Sequence, residues 1–96
     1  MPRRHPPLTP DEVIAILRSR GFSLDRTAGS HAQYVGSVRG RFRRVTIDLH
    51  YREFDDQTMR RLMDQSGLTR EEFYGSTKET ARKIGLRADE YPIPLQ

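Results

Sequence analysis

From Val45 to His50 the chain alternates strictly, with Val45, Ile47 and Leu49 on one side and Arg44, Thr46, Asp48 and His50 on the other. This is the pattern of a strand with one face in a core and one in solvent. Such a strand needs a partner of matching parity. In the preceding strand Ala32 and Tyr34 are the natural inward pair, which turns His31, Gln33 and Val35 to the opposite face. A turn centred on Arg39-Gly40 sets Val38 opposite Arg41, Tyr34 opposite Val45 and His31 opposite Asp48. Gly36-Ser37 is the competing turn, and Phe42 falls on the polar face unless a bulge intervenes. Ahead of this hairpin, Phe22 and Leu24 alternate with Ser23 and Asp25 as a shorter strand that Thr27-Ala28-Gly29 breaks, and the next strand starts near Ser30.

Helix signals flank the three strands. Thr9 as N-cap, Pro10 at the first position, Glu12 closing a capping box and Leu8 stapled to Val13 predict a helix over 10–20, ended by Gly21. Asp55 caps a second helix with a Phe54 to Met59 staple, the stripe Met59, Leu62 and Met63, and Gly67 as its stop. Leu68 to Phe73 repeats the box and staple, and Ser76 with Glu79 suggests another box before Gly85. The prolines after Ala88 keep the tail extended. The order predicts an α+β fold: a small three-stranded antiparallel sheet with helices packed on one face, and a C-terminal helical extension. The free face would carry His31, Gln33, Arg44, Asp48 and His50.

Composition limits what such a fold can do. At 96 residues, 34% apolar and 31% charged, the chain makes one thin domain rather than a deep ligand cavity. With no cysteine it has neither disulfides nor a thiolate nucleophile, which fits a reducing compartment. No apolar run approaches the length of a membrane span and none reads as a signal peptide, so no membrane association and a cytoplasmic location are expected. Net charge is +4, and 15 of the 17 basic residues are arginine. Arginine grips phosphate bidentately and stacks on bases, so Arg39, Arg41, Arg43 and Arg44 within six residues, with Arg3 and Arg4 in a basic arm over 1–8, suit nucleic acid. The plainer alternatives are a solvated hairpin tip and an arginine bias in the encoding genome.

Most enzyme signatures are absent: no Gly-x-Ser-x-Gly, no His-Glu-x-x-His, no phosphate-binding glycine loop. Histidine is the remaining acid–base candidate, and His5 lies in a Pro-rich arm expected to be floppy. RNA cleavage asks for little more than a base for the 2′-hydroxyl proton, a donor for the leaving oxygen and cations for the phosphorane. His31 can serve either proton role, with Asp48 across the strand to orient it, His50 nearby, and Arg44 or its hairpin neighbours for phosphate. The alternatives left open are an ordinary solvated histidine after a Gly-Ser turn, and a metal held by His31, His50 and Asp48.

Gly21-Phe22, Arg26, Gly29-Ser30-His31, Tyr34, Val45-Thr46-Ile47, His50, Thr58, Leu62, Gly67-Leu68 and Phe73 together resemble the HicA toxin family of bacterial toxin–antitoxin modules over residues 9–74. That resemblance implies a fold like the double-stranded RNA-binding domain (α-β-β-β-α), mRNA interferase activity and a HicB-like antitoxin partner, and histidine acid–base chemistry on the 2′-hydroxyl calls for no metal or other cofactor. It implies His31 as the catalytic residue, while the residues' own positions add His50 and Asp48 as possible auxiliaries and Ser30, Arg39, Arg41, Arg43 and Arg44 as candidate RNA contacts. Two positions depart from the family's habit: Ala32-Gln33, where a basic residue is common, and Asp48-Leu49, where a proline often precedes the third-strand histidine. The resemblance assigns nothing to residues 75–96. The rival readings are a non-catalytic RNA-binding module of the same fold and a DNA-binding or interaction protein using its helices.

Overall fold

The computed structural model describes residues 4–96, so Arg3 of the basic arm lies outside the described residues. Helix α1 (Pro10–Ser19) opens as the sequence predicts. Thr9 Oγ1 accepts the Glu12 N–H (3.2 Å), and Glu12 Oε1 accepts the Thr9 N–H (2.9 Å). It closes with the Phe22 N–H on Leu17 O (2.9 Å) and the Gly21 N–H on Arg18 O (3.1 Å), the paired bonds of a Schellman motif.

Three antiparallel strands follow in the order β1-β2-β3: β1 (Ser23–Ala28), β2 (His31–Val38) and β3 (Arg41–Asp48). The β2–β3 register matches the parity argument at every anchor: Val38 faces Arg41, Tyr34 faces Val45 and His31 faces Asp48. Arg39 and Gly40 form the turn, both at positive φ (50° and 77°), the backbone twist that two-residue hairpins favour. No bulge rescues Phe42. It pairs with Ser37 and remains 67% exposed on the open face.

The sequence misjudged both ends of the first hairpin and the end of β3. Thr27 and Ala28 do not break β1, because Gly29-Ser30 is itself a two-residue turn, with Gly29 at φ 59° and Ala28 paired with His31. The register of β1 shifts between Leu24 and Arg26, and all six β1 residues are exposed, so Leu24 is not an inward residue. Strand β3 stops at Asp48. The Asp48 carboxylate takes the His50 N–H (2.9 Å), a local turn that leaves the Leu49 side chain exposed instead of inward although its N–H still reaches Ser30 O (2.7 Å).

Helix α2 (Asp56–Ser66) starts on Asp55, whose carboxylate accepts the Thr58 N–H (2.8 Å), and ends at Gly67. Helix α3 (Arg70–Tyr74) carries the predicted capping box between Thr69 and Glu72. Helix α4 (Lys78–Arg82) starts one residue later than predicted. Thr77, not Ser76, is its N-cap, and Thr80, not Glu79, meets the cap. Ser76 is unavailable because its hydroxyl bonds Glu72 O (2.7 Å) and receives Arg20 Nε (2.9 Å).

Val13, Ile16 and Leu17 of α1 and Met59, Leu62 and Met63 of α2 join Ala32, Tyr34, Val38, Val45 and Ile47 in one core. Both helices thus cover the same side of the sheet, and each fully buried aliphatic side chain contributes roughly 1.5–3 kcal/mol. Phe22 packs so closely over Gly36 that a Cβ there would meet its ring. Helix α2 also blunts the β3 edge: Gln65 Oε1 accepts the Thr46 N–H (3.0 Å), and Arg61 reaches Thr46 O (3.4 Å).

The two chain ends pack on this body. His5 is not floppy: it is 9% exposed with Nδ1 2.8 Å from Asp56 Oδ1, and Tyr74 donates to Pro6 O (2.7 Å). The tail pairs Ile93 N–H with Gly75 O (3.0 Å) and Gln96 N–H with Glu72 Oε2 (2.7 Å). Among the described residues no helix is long and apolar enough to cross a membrane.

Candidate active site on the open sheet face

The Gly29-Ser30 turn delivers His31 to the first position of β2, directly across from the last residue of β3. Positive φ at the first turn position alone suits glycine and brings the chain back within two residues. Ser30 then ties the two strand ends together. Its hydroxyl donates to Asp48 Oδ1 (2.9 Å), and its carbonyl accepts the Leu49 N–H (2.7 Å). With Oδ1 occupied by Ser30 and the His50 N–H, Asp48 presents Oδ2 to His31 Nε2 at 3.5 Å. The His50 N–H, the Ser30 hydroxyl and the nearby imidazoles hold the Asp48 carboxyl below its ordinary value, so it stays charged at neutral pH. His31 itself is more than half exposed.

Around this pair lies a cavity of about 360 Å³ lined by His31, Thr46, Asp48, Tyr51, Phe54, Thr58 and Arg61. Thr46 and Asp48 come from the outward parity of β3, while Thr58 and Arg61 come from successive turns of α2. The Tyr51 ring leans on Phe54, with centroids 6.1 Å apart. The arrangement joins an imidazole, a charged carboxylate behind it, hydroxyls and one guanidinium in a solvent-open cleft. Those are the parts of acid–base chemistry on an anionic substrate. Among the described residues no three His, Asp or Glu side chains gather as metal ligands.

The remaining predicted residues are dispersed. His50 gives its backbone N–H to Asp48, and its ring lies edge-on to Tyr51 at 6.4 Å, outside the cavity lining. Arg44 stands on the open face, bonded to Asp25 (2.9 Å) and Gln33 (2.6 Å), with its guanidinium 5.8 Å from the Phe42 ring. Arg41 is exposed at the hairpin end, opposite Val38. Arg43 turns to the helix side, where a Cβ at Gly67 would meet its guanidinium and its buried Nε has no partner. Arg39 pairs with the buried carboxylate of Glu72 and donates to Gly67 O (3.0 Å) and Gln96 O (3.1 Å). The sequence reading missed Arg61, Thr58 and Tyr51. Thr58, Arg61 and Gln65 do recur at helical spacing opposite the apolar stripe, a signal that marks a second, polar face of α2.

A three-stranded antiparallel sheet with two helices on one face, in the order α-β-β-β-α, makes this a domain like the double-stranded RNA-binding domain with a polar site on its uncovered side. Residues 10–68 match the family described as the HicA toxin of bacterial toxin–antitoxin systems, and the chain belongs to that family. Membership puts it on the toxin side of a toxin–antitoxin pair and implies an antitoxin partner. Neither curated proteins nor solved structures gave a match.

Proposed function

We propose that this toxin is an endoribonuclease that cleaves mRNA through His31, blocks translation in the cytoplasm, and is neutralised by a HicB-like antitoxin. The observation that carries this reading is the His31–Asp48 pair at the mouth of a cleft that also holds Arg61. With Nε2 turned to Asp48, Nδ1 is left to take the proton of the ribose 2′-hydroxyl. The 2′-oxygen attacks phosphorus, the P–O5′ bond breaks, and the products are a 2′,3′-cyclic phosphate and a 5′-hydroxyl. Arg61 faces the charge that builds on the non-bridging oxygens, and the Tyr51 phenol protonates the departing oxygen, the phenolate then regaining the proton held on the imidazolium by way of solvent. Asp48 stabilises the imidazolium formed on the way.

Each proton transfer uses groups of this chain, so the scheme needs no metal. The RNA strand would cross the open face past Gln33 and Arg44, with Phe42 exposed as a stacking surface for a base. Purified protein incubated with single-stranded RNA in excess chelator tests the scheme. The expected result is cleavage to 2′,3′-cyclic ends that a 2′-O-methyl substrate abolishes. Cleavage lost on chelation, or cleavage of the 2′-O-methyl strand, contradicts it, and RNA binding with no cleavage under any condition supports a non-catalytic module instead.

A further inference from the structure

A second cavity lies away from His31, in the C-terminal extension that the family match does not reach. It has a volume of about 570 Å³ and is lined by Lys78, Arg82, Gly85, Leu86, Arg87, Ala88 and Tyr91. The local fold explains how it forms. Lys78 and Arg82 sit at i and i+4 and share one face of α4. Gly85, at φ 69°, then reverses the chain, with its own N–H on Arg82 O (3.1 Å) and the Leu86 N–H returning to Ala81 O (3.0 Å). After that reversal Arg87 lines the same cavity as Arg82. The far wall is the half-buried Tyr91, whose hydroxyl accepts the Ala88 N–H (3.0 Å).

Three cations therefore converge on one cavity with no carboxylate in its lining, although Glu79, Asp89 and Glu90 are close in sequence. Among the described residues none of the three makes an ion pair, whereas the neighbouring Lys83 turns away to Glu12 (3.7 Å). Like charges at i, i+4 oppose helix formation by a few tenths of a kcal/mol, and a third cation added by a chain reversal raises that cost. An anion in the cavity reverses the sign of the effect. Two guanidiniums present paired donors suited to phosphate oxygens, the ammonium adds a point charge, and the phenol ring offers a flat wall to a sugar or base. Volumes of this size hold a nucleotide.

We propose that this cavity is a phosphate-binding site, taking either a backbone phosphate of an RNA strand or the phosphate of a free nucleotide. The site is independent of the cleavage scheme, so the probes are ones the protein cannot cut at a 2′-hydroxyl: a short 2′-O-methyl oligonucleotide, AMP and inorganic phosphate. Amide chemical shifts of Gly85 to Ala88 and Tyr91 are followed during each titration, and oligonucleotide affinity is measured across a salt series. The triple change Lys78→Gln, Arg82→Gln, Arg87→Gln is compared with Arg82→Lys plus Arg87→Lys, which keeps the charge.

Shifts with the oligonucleotide alone assign the site to an RNA strand; shifts with AMP or phosphate as well assign it to small phosphates. In the first case the glutamine variant lowers the salt slope by about one to two, at ~0.7 for each phosphate it no longer neutralises, while the lysine variant retains it. In the second the glutamine variant loses the AMP-induced shifts. Unmoved amides with all three probes overturn the proposal. An unchanged salt slope in a glutamine variant of unaltered melting temperature, without any response to AMP or phosphate, overturns it too.

Discussion

Gly29 turns the chain, Ser30 fixes Asp48, and His31 faces the carboxylate so fixed, so three consecutive residues each have a separate physical task at one site. The arginines divide in the same way. Arg61 lines the cleft with His31, whereas Arg43 is packed against Gly67 on the helix side of the sheet. Replacing each therefore separates catalysis from stability. On the proposed scheme Arg61→Gln is expected to lower the cleavage rate about tenfold to a hundredfold with little change in melting temperature, because Arg61 would lie exposed beside the charge of the transition state. Arg43→Gln is expected to lower the melting temperature through packing lost against Gly67 and to leave the rate per folded molecule unchanged. Cleavage assays paired with thermal unfolding of both variants check the division.

Among the elements, the turn between β2 and β3 depends most on distant residues. Arg39 occupies φ 50°, a conformation costing a non-glycine residue roughly 1–2 kcal/mol, and its side chain is anchored on Glu72, Gly67 and Gln96. Burial pushes the Glu72 carboxyl up more than any other single influence. The Arg39 guanidinium and the Gln96 and Thr69 N–H groups together outweigh it and bring the group from 4.5 down to about 2. A folded-state value below the unfolded one stabilises the protein above pH 4.5, and the contribution disappears as pH falls from 4.5 to 2. Wild-type stability should lose on the order of 2 kcal/mol across that window, allowing for the part-exposed Arg39. Glu72→Gln keeps the cap on Thr69 but lacks the charge, so its melting temperature should fall less steeply there. Parallel curves for the two proteins would contradict the assignment.

These elements also show what could be read in advance. The His31–Asp48 pairing was legible because strand parity and turn position leave one register that buries Tyr34 with Val45, and the helix starts were legible because capping is local chemistry. Leu24, Leu49 and Ser76 were misplaced where a nearby side chain or turn overrides a simple period: a register shift in β1, the Asp48 turn, and the competing bonds of Ser76. Arg61 was not found because it reaches the site only through the docking of α2 on the β3 edge, which no local pattern encodes.

Across the whole molecule, 36 × 30 × 18 Å, the thin dimension suits one helix layer on one sheet, and the tail binds the far parts of that body to each other. Arg20 holds Ile93 O (2.6 Å), Glu72 O (2.7 Å) and Ser76 at once, and the Ile93 side chain lies against Gly75. These bonds fit a tail that packs on the protein's own helices. Deleting residues 88–96 should remove about 2 kcal/mol, and with each 1 kcal/mol worth about 4–8 °C in a domain this size, lower the melting temperature by about 8–16 °C. An unchanged melting temperature with weaker antitoxin binding would place the tail in the toxin–antitoxin interface instead.

The central claim is that His31 performs the chemistry, and cleavage by His31→Ala, measured beside RNA retention at equal folded concentration, tests it most directly. His31 is exposed and contributes nothing to the core, so the variant should fold and hold RNA as the wild type does. Its cleavage rate should fall by about 10²–10⁴-fold, the worth of a positioned acid–base group. A folded His31→Ala protein that cuts RNA at the wild-type rate would contradict the account and reduce Gly29-Ser30-His31 to a turn.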